Sequence, residues 1–216
     1  MTKDIWFVRH GESVTNAGGI WLDQTTVPLT PTGHKQAQLA SAALTEKPSL
    51  IITSPFIRTK ETAGPTLNKW PDVKHEEWQV QEFCSICSER RGLLTSEEKE
   101  EIFSMARADP DYRDGETAES FNGLIQRVDN AIEHLTNRPE NKIIMFSHGY
   151  FLSALFYCLS NRDLTPVSHM ELEEYNKTRP IANTVIVNYK FHSGRDIELV
   201  SSSTAHLPEE DSSMQV

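Results

Sequence analysis

Three short, mostly apolar segments constrain the fold of this chain more than any other feature of its sequence. They cover residues 5–8, 50–53 and 143–146, and a polar or basic cluster follows each of them. Runs of this length and composition are typical of strands that are buried on both faces of a parallel sheet. Because helical patterns lie between them, the sequence predicts an α/β fold, a three-layer α/β/α sandwich around a mostly parallel, mixed sheet.

Capping residues and hydrophobic periodicity predict the helices. Thr30 and Pro31 stand at N-cap and first-turn positions before an Ala-rich segment, and Thr95 and Glu98 have the spacing of a capping box. Helices are predicted over residues 34–44, 57–67, 95–107, 117–135 and 150–159, the second of them bent at Gly64-Pro65 and the fourth clearly amphipathic. A weaker strand is predicted over residues 74–80, and a hairpin over residues 184–189 and 197–200.

Composition limits the class of protein. The 216 residues include 21 Lys and Arg against 31 Asp and Glu, and this net charge of −10 argues against a general nucleic-acid binder. The hydrophobic content of 38% is enough for one core, so we expect a single domain over residues 1–216 with a loose acidic tail from about residue 204. Residues 150–159 are too short to cross a bilayer and no secretory signal is visible, so we expect a cytoplasmic protein without a membrane partner.

The cysteines argue against both a disulfide framework and a metal site. Cys84, Cys87 and Cys158 are too few for such a framework, so reduced thiols are expected. Cys84-x-x-Cys87 has the spacing of half a zinc site, but no second cysteine pair and no His pair at ligand spacing accompany it. The sequence therefore predicts neither a metal nor a cofactor.

The clusters after the three strands contain the candidate functional residues. Arg9 and His10 end the first strand, Arg58 follows the second, and His148 follows the third. Parallel sheets bind ligands at the carboxyl ends of their strands, so we expect these side chains to converge. Guanidinium and imidazole donors gathered at one point are suited to the oxygens of a phosphoryl group.

The order of these clusters is similar to that of a known family. The chain contains Arg9-His10-Gly11-Glu12-Ser13, then Ser54-Pro55-x-x-Arg58, then Ser147-His148-Gly149. With Asn16 and Gly115-Glu116-Thr117, these motifs resemble the histidine phosphatase superfamily, also called phosphoglycerate mutase-like, over about residues 5–160. The resemblance implies a metal-independent phosphatase that hydrolyses phosphate monoesters through a phosphohistidine. The alternatives are a phosphoglycerate mutase and a protein that binds a phosphorylated ligand without turnover.

The resemblance also implies roles for individual residues. His10 would become phosphorylated, and the positive charge of neighbouring arginines would keep its imidazole unprotonated. Arg9, Arg58 and His148 would bind the phosphoryl group. Substrate contacts are further implied at four positions, Gly11, Ser13, Asn16 and Gly149.

Protonation of the leaving group requires a carboxyl group near the phosphoryl site. Residues 78–82 resemble the family segment that ends in this acid, which implies Glu82. Glu89 is the rival, because it lies beside the basic residues Arg90 and Arg91. The phosphatase branch commonly has glycine four residues after this acid, where the chain has Ile86.

Residues 84–114 are the expected lid over the site. They contain four arginines that could select a second anionic group on a phosphorylated small molecule, namely Arg90, Arg91, Arg107 and Arg113. A phosphoprotein substrate would require an open site instead. His206 is expected to lie in the loose tail rather than over the site.

Cys84 and Arg90 also have the C-x5-R spacing of cysteine-dependent phosphatases. A phosphate-binding loop of that type favours glycine, and no glycine lies between these residues. Glu89 within the same segment would repel a phosphate dianion. We therefore interpret this spacing as a coincidence.

Overall fold

The computed structural model describes residues 2–20, 23–161, 167–192 and 196–208. Within these residues six strands form one sheet in the order β3-β2-β4-β1-β5-β6. The strands are β1 (Lys3–Arg9), β2 (Leu50–Thr53), β3 (Lys74–Glu77), β4 (Lys142–Ser147), β5 (Ile186–Phe191) and β6 (Ile197–Ser203). The helices are α1 (Pro31–Ala43), α2 (Ile57–Lys69), α3 (Ser88–Arg91), α4 (Ser96–Ala108), α5 (Phe121–Asn137), α6 (Gly149–Ser160) and α7 (His169–Thr178).

The sheet is mixed, as the sequence predicts. β1, β4, β2 and β3 run parallel, whereas β5 pairs antiparallel with β1, and β6 pairs antiparallel with β5. At the centre, Arg9 of β1 is opposite Ser147 of β4, and the N–H of His10 donates to the carbonyl of Ser147 at 2.9 Å. This register places His10 next to the strand end that leads into His148.

Helices cover both faces of the sheet and complete the three layers. On one face, Ile5 and Phe7 of β1 pack with residues of α5, α6 and α7. On the other face, Val8 and Ile144 pack with residues of α1 and α2. Successive residues of a strand point to opposite faces, so central strands that are covered on both sides must be apolar nearly throughout.

The start of α1 packs closely on the loop that follows β1. Thr30 caps the helix by accepting a hydrogen bond from the N–H of Gly33 at 3.0 Å, with Pro31 in the first turn. The space that a Cβ on Gly33 would need is filled by the carbonyl oxygen of Glu12. Glycine is required for this approach, which holds the loop beginning at His10 against the helix.

Two predicted boundaries are wrong for identifiable reasons. The strand expected over residues 74–80 ends at Glu77, because its partner β2 ends opposite it at Thr53. The helix expected from residue 117 begins at Phe121, because the side chain of Ser120 caps it by accepting from the N–H of Gly123 at 3.1 Å. The capping box of Thr95 opens α4 as expected, and α2 continues through Pro65.

The helices α3 and α7 were not predicted. Both are short and mostly polar, and residues 169–178 of α7 bury only His169 and Leu172. Such segments lack the long apolar period from which a helix is recognised. No helix in the described part of the chain is long and apolar enough to span a membrane.

Residues 204–208 are the described part of the tail that was expected to be loose from about residue 204. Leu207 is buried, and its N–H donates to the carbonyl of Thr204 at 2.9 Å. Leu207 therefore packs on the domain. Residues 209–216 of the predicted tail and residues 193–195 of the predicted hairpin turn lie outside the described residues.

Candidate active site

His10 lies at the base of the site, immediately after β1, and is almost fully buried. Its Nδ1 lies 2.7 Å from the carbonyl oxygen of Gly11, and its Nε2 lies 3.3 Å from Nε of Arg58. A carbonyl oxygen only accepts a hydrogen bond, and a guanidinium only donates one. Both neighbours therefore favour the same tautomer, in which Nδ1 carries the hydrogen and Nε2 has the lone pair.

Burial and neighbouring charge keep this imidazole neutral. Burial lowers the pKa of His10 well below its usual value of 6.5, and the positive charges of Arg58 and Arg9 lower it further. The hydrogen bond with the Gly11 carbonyl opposes this change in part. At neutral pH the Nε2 lone pair is consequently available for attack on an electrophile.

Two guanidinium groups flank His10, a partly buried one on Arg9 and a buried one on Arg58. Arg9 donates a hydrogen bond from Nη1 to the backbone carbonyl of Ile181, and Arg58 donates one from Nη1 to the backbone carbonyl of Gln24 at 2.7 Å. Burial lowers the pKa of Arg58 to about 10, while the negative charge of Glu82 acts in the opposite direction. Both arginines remain charged at neutral pH and can bind phosphoryl oxygens.

His148 packs behind His10 and is fully buried. The two ring centres lie 5.1 Å apart, and Nε2 of His148 lies 2.7 Å from Oγ of Ser54. Nδ1 of His148 and Nε of Arg9 are buried without a hydrogen-bond partner among the described residues. Buried polar atoms are seldom left unpaired, so these two atoms are suited to an anion bound beside His10.

Glu82 is held at the N-terminus of α6. Its Oε1 accepts hydrogen bonds from the backbone N–H groups of Phe83 at 3.1 Å, Tyr150 at 3.0 Å and Phe151 at 3.1 Å. Oε2 has only a longer contact of 3.3 Å with the nitrogen of Tyr150. One carboxyl oxygen is therefore anchored by three backbone N–H groups, and the other has only the longer contact.

Most of these groups line one cleft. Its volume of about 360 Å³ lies at the lower end of the range of small-molecule sites. The lining residues are Arg9, His10, Ser13, Thr15, Asn16, Gly19, Ile20, Gln24, Arg58, Glu82, Arg91, Gly92 and Lys99. Ser13 and Asn16, both expected to contact substrate, are thus brought to the same cleft as His10.

Gly11 and Gly149 adjoin the site without lining the cleft. The N–H of Gly11 donates to Oγ1 of Thr62 at 3.0 Å, and a Cβ on Gly11 would lie 2.6 Å from the carbonyl oxygen of Gly33. A Cβ on Gly149 would lie 3.3 Å from Nε of Arg9. Both glycines allow close packing around the site, and their contacts with substrate stay a prediction.

The rival acid Glu89 lies outside the cleft, exposed on α3. Its carboxylate accepts hydrogen bonds from Sγ of Cys87 and, at 2.8 Å, from Oγ1 of Thr117. These hydrogen bonds lower the pKa of Glu89 to about 2. A carboxyl group that stays ionised outside the cleft is poorly placed to donate a proton to a ligand, whereas Glu82 lines the cleft, so position favours Glu82 for that role.

The C-x5-R pair does not form a phosphate loop in this structure. Burial raises the pKa of the Cys84 thiol above its usual value of 9.0, and Arg90 forms an ion pair with Asp114 at 3.1 Å. Neither Cys84 nor Arg90 lines the cleft. All three cysteines are free thiols, and no group of three or more His, Cys, Asp or Glu side chains in the described ranges is arranged to hold a metal ion.

Among the four lid arginines, Arg91 is the one that lines the cleft. Arg90 is paired with Asp114, Arg107 with Glu100 and Glu173, and Arg113 donates to backbone carbonyls. Lys99 of α4 also lines the cleft. Sequence reasoning missed it, because it lies in an acidic run that is typical of a solvated helix face.

Residues 183–184 bind the backbone of Arg9 and His10, and the sequence analysis did not predict them. Nδ2 of Asn183 donates to the carbonyl of His10 at 3.0 Å and to Oδ1 of Asn16 at 3.3 Å. The N–H of Thr184 donates to the carbonyl of Arg9 at 3.1 Å. Thr184 has φ +52°, which a β-branched residue rarely adopts, so the structure keeps a strained residue beside Arg9 and His10. No spacing or charge pattern in the sequence marks these two residues.

His206 packs near the same supporting segment instead of lying in a loose tail. It is partly buried, and burial lowers the pKa of its imidazole, while a hydrogen bond with the backbone of Thr184 raises it. His206 does not line the cleft. His206 was expected to lie in a loose tail, and this expectation is wrong. The residue is held by a hydrogen bond with the backbone of Thr184, which is remote in sequence.

Comparison with known proteins agrees with this geometry. The family model of the histidine phosphatase superfamily, branch 1, matches residues 5–193. The chain belongs to the histidine phosphatase superfamily. It is 34% identical over 155 residues to a Photorhabdus laumondii protein named a probable phosphoglycerate mutase, a match that covers 70% of this chain and 72% of the relative. It is 30% identical over 162 residues to an acid phosphatase of Mycobacterium tuberculosis, covering 68% of this chain and 71% of the relative.

Solved structures of histidine phosphatases have the same fold. The alpha-ribazole phosphatase of Shigella flexneri superposes with a TM-score of 0.73 at 22% identity, over 91% of this chain and 94% of the other. Phosphoserine phosphatase of Entamoeba histolytica, in complex with 3-phosphoglyceric acid, gives a TM-score of 0.70 at 23% identity, over 95% and 100% of the two chains. The family, the fold class and the prediction of a phosphatase enzyme are confirmed.

Proposed function

We propose that this histidine phosphatase hydrolyses phosphate monoesters of small molecules in two steps, with His10 as the nucleophile. The observation that carries the proposal is the orientation of His10. Its Nδ1 is bound to the Gly11 carbonyl, and its Nε2 lies beside the guanidinium of Arg58 in the cleft. A neutral imidazole held in this way can attack phosphorus while the arginines stabilise the phosphoryl oxygens.

In the first step, Nε2 of His10 forms a bond to phosphorus as the bond from phosphorus to the ester oxygen breaks. Glu82, protonated on Oε2, transfers its proton to the leaving oxygen and releases an alcohol. Arg9, Arg58 and His148 bind the three oxygens of the transferred group. The product of this step is a phosphohistidine and an ionised Glu82.

In the second step, water attacks phosphorus and Oε2 of Glu82 accepts its proton. The bond between phosphorus and Nε2 breaks, its electron pair returns to His10, and inorganic phosphate leaves. Glu82 is protonated again and His10 is neutral, so both residues are restored.

The size of the cleft favours a small molecule over a phosphoprotein. Its lining comes from the loop after β1, from α2 and from the segment with α3 and α4, which together form a cleft of about 360 Å³. A phosphorylated side chain on a protein surface would need a wider approach. A cytoplasmic location is part of this proposal, since three free thiols suit a reducing compartment.

The test compares wild type with His10→Ala and Cys84→Ser, using p-nitrophenyl phosphate in the presence of a chelator. We expect wild type and Cys84→Ser to turn over and to form an acid-labile phosphoenzyme that is detected by intact mass, and His10→Ala to do neither. His34→Ala, at an exposed position of α1, is the matched control. Loss of activity in Cys84→Ser together with full activity in His10→Ala would reject the proposal.

A phosphoglycerate mutase is the second candidate, because two of the relatives are named probable phosphoglycerate mutases. A mutase would return the phosphoryl group from His10 to a second hydroxyl rather than to water. The assay supplies 3-phosphoglycerate with and without a bisphosphoglycerate primer and measures free phosphate and the isomeric product. Release of phosphate that is independent of the primer supports the phosphatase.

A further inference from the structure

We propose that Arg127 of α5 is a positioning residue for Glu82, because it holds the backbone segment to which that carboxyl group belongs. The inference rests on the proposed function, in which Glu82 transfers a proton to the leaving group, and it deepens that function by adding a residue. Arg127 does not line the cleft, so it acts through other groups and does not touch the substrate.

The segment around Glu82 has no regular secondary structure. Residues 78–84 form neither a helix nor a strand, since β3 ends at Glu77, opposite the end of β2 at Thr53. The backbone carbonyls beyond Glu77 therefore lack the partners that a sheet would give them. Such groups need donors from elsewhere in the fold or from water.

Arg127 supplies two such donors. Its Nη1 donates to the carbonyl of Gln79 at 3.0 Å and to the carbonyl of Gln81, which directly precedes the acid, at 3.1 Å. Beyond the acid, the backbone N–H of Glu119 donates to the carbonyl of Cys84 at 2.8 Å. The backbone is therefore held on both sides of the acid.

Glu119 also fixes the orientation of the Arg127 guanidinium. Its two carboxylate oxygens accept hydrogen bonds from Nε and Nη2 of Arg127, each at 2.6 Å. Only 14% of the Arg127 side chain is exposed, so this ion pair is largely shielded from water. The planar guanidinium binds the carboxylate on one side and the two carbonyls on the other. A lysine has the same charge but a single nitrogen, so it cannot make these contacts together.

The same guanidinium contacts the helix that anchors the Glu82 carboxyl group. It lies 5.1 Å from the ring centre of Phe151 in α6. The backbone N–H of Phe151 is one of the donors to Oε1 of Glu82, at 3.1 Å. Arg127 therefore links the segment that precedes the acid to the helical turn that binds its carboxyl group.

The positive charge of Arg127 has a second effect on the site. Burial lowers the pKa of His148 well below 6.5, and the charge of Arg127 adds a smaller effect in the same direction. Arg127→Lys separates this effect from positioning, because lysine keeps the charge and loses the planar fork.

The test compares two leaving groups in the first turnover, by rapid-quench measurements on wild type, Arg127→Lys and Glu119→Gln. Glycerol 3-phosphate releases an alcohol that needs a proton, whereas p-nitrophenyl phosphate releases a stable anion. Arg138→Lys is the matched control, because Arg138 also binds both oxygens of a carboxylate, that of Glu140, and also lies beside an aromatic ring, that of Trp78. Arg138 does not line the cleft.

We expect Arg127→Lys to slow alcohol release from glycerol 3-phosphate by about tenfold, because a misplaced acid transfers its proton less well. Release of p-nitrophenolate should change little. Glu119→Gln should give the same pattern with a smaller loss, and Arg138→Lys should change neither rate. An equal loss for both esters in Arg127→Lys, or no loss for either, overturns the inference.

Combination with Glu82→Gln shows whether Arg127 acts through the acid. If it does, Arg127→Lys should not slow alcohol release further once Glu82 has been replaced. Losses that multiply in the double variant would overturn the inference, because they would show that the two residues act independently.

Nuclear magnetic resonance separates this inference from the proposed function, since it needs no turnover. The amide signals of Tyr150 and Phe151 report the hydrogen bonds to Glu82, so Glu82→Gln and Arg127→Lys should shift both, and Arg138→Lys neither. Turnover of p-nitrophenyl phosphate with equal losses for both esters in Arg127→Lys leaves the phosphatase intact and removes only the positioning role. If wild type hydrolyses no ester, the proposed function fails and the amide signals decide the inference. Shifts of both in Arg127→Lys would then support it, and unchanged signals would overturn it.

Discussion

Oε1 of Glu82 lies 3.0 Å from the backbone nitrogen of Tyr150, so the first turn of α6 holds the carboxyl group to which we assign proton transfer. Oε2 is not anchored in the same way, since its contact with this nitrogen is 3.3 Å. Such anchoring fixes the direction of the carboxyl group and leaves one oxygen to give and take a proton.

Replacing Glu82 should affect substrates according to their leaving groups. Glu82→Gln should slow the first-turnover release of alcohol from glycerol 3-phosphate by about 10²-fold or more, because an alkoxide needs a proton to leave. Release of p-nitrophenolate should slow much less, because this anion is stable without one. Rapid-quench measurements of both products test this, with Glu89→Gln as the control that leaves both rates unchanged. An equal loss for both esters would contradict the assignment.

Removing the support behind His10 should lower activity without unfolding the protein. Asn183→Ala deletes the hydrogen bond from Nδ2 to the His10 carbonyl, and we expect kcat to fall by about fivefold because a net hydrogen bond is worth roughly 1 kcal/mol. The thermal midpoint should change little. Asn122→Ala, which deletes a surface contact with Asp111, is the control. Unchanged kcat in Asn183→Ala would show that this contact does not position the nucleophile.

The two buried imidazoles should make stability depend on pH. The pKa values of His10 and His148 are lowered well below 6.5 by burial and nearby arginines, so the folded protein keeps both neutral while the unfolded chain binds protons below about pH 6.5. Their contribution is thus fully present above pH 6.5 and is lost as the pH falls below it. Each contributes a slope of up to about 1.4 kcal/mol per pH unit.

Urea denaturation at pH 7, 6 and 5 measures this slope. His148→Asn should reduce the slope below pH 6.5 relative to wild type by up to about 1.4 kcal/mol per pH unit, because one neutral buried imidazole is removed. His34→Asn, at an exposed site, should leave the slope as it is. Identical slopes in wild type and His148→Asn would show that protonation of His148 does not contribute to the pH dependence of stability.

Adding one methyl group to Gly11 or Gly64 should have opposite effects. A Cβ on Gly11 would lie 2.6 Å from the backbone carbonyl oxygen of Gly33, so Gly11→Ala should lower the free energy of unfolding by about 1–3 kcal/mol. Gly64 lies within α2, and its Cβ would meet no atom within 4 Å. Gly64→Ala should therefore raise the free energy of unfolding by roughly 0.5–1 kcal/mol. Thermal and urea unfolding of the two variants compare them directly, and equal effects would show that the packing at Gly11 is not tight.

The sequence alone predicted the strands, helix caps and motifs that depend on neighbouring residues in the chain. The strands at residues 5–8, 50–53 and 143–146 are covered on both faces, so their apolar composition reports their position directly. The caps of α1 and α4 depend on side chains within three residues of the backbone that they bind. The motifs around His10, Arg58 and His148 lie at strand ends, and topology alone brings such ends together.

Only the tertiary structure identified the site residues whose roles depend on contacts between distant segments. The structure distinguishes Glu82 from Glu89 as the candidate acid, because Glu82 binds the N–H of Tyr150, which is 68 residues away in sequence. Lys99 and Asn183 were recognised only from where their side chains lie, since sequence spacing does not report which face of a helix or which loop meets a cleft. Local patterns specify which residues form strands and caps, whereas packing between remote elements specifies which side chains share a site.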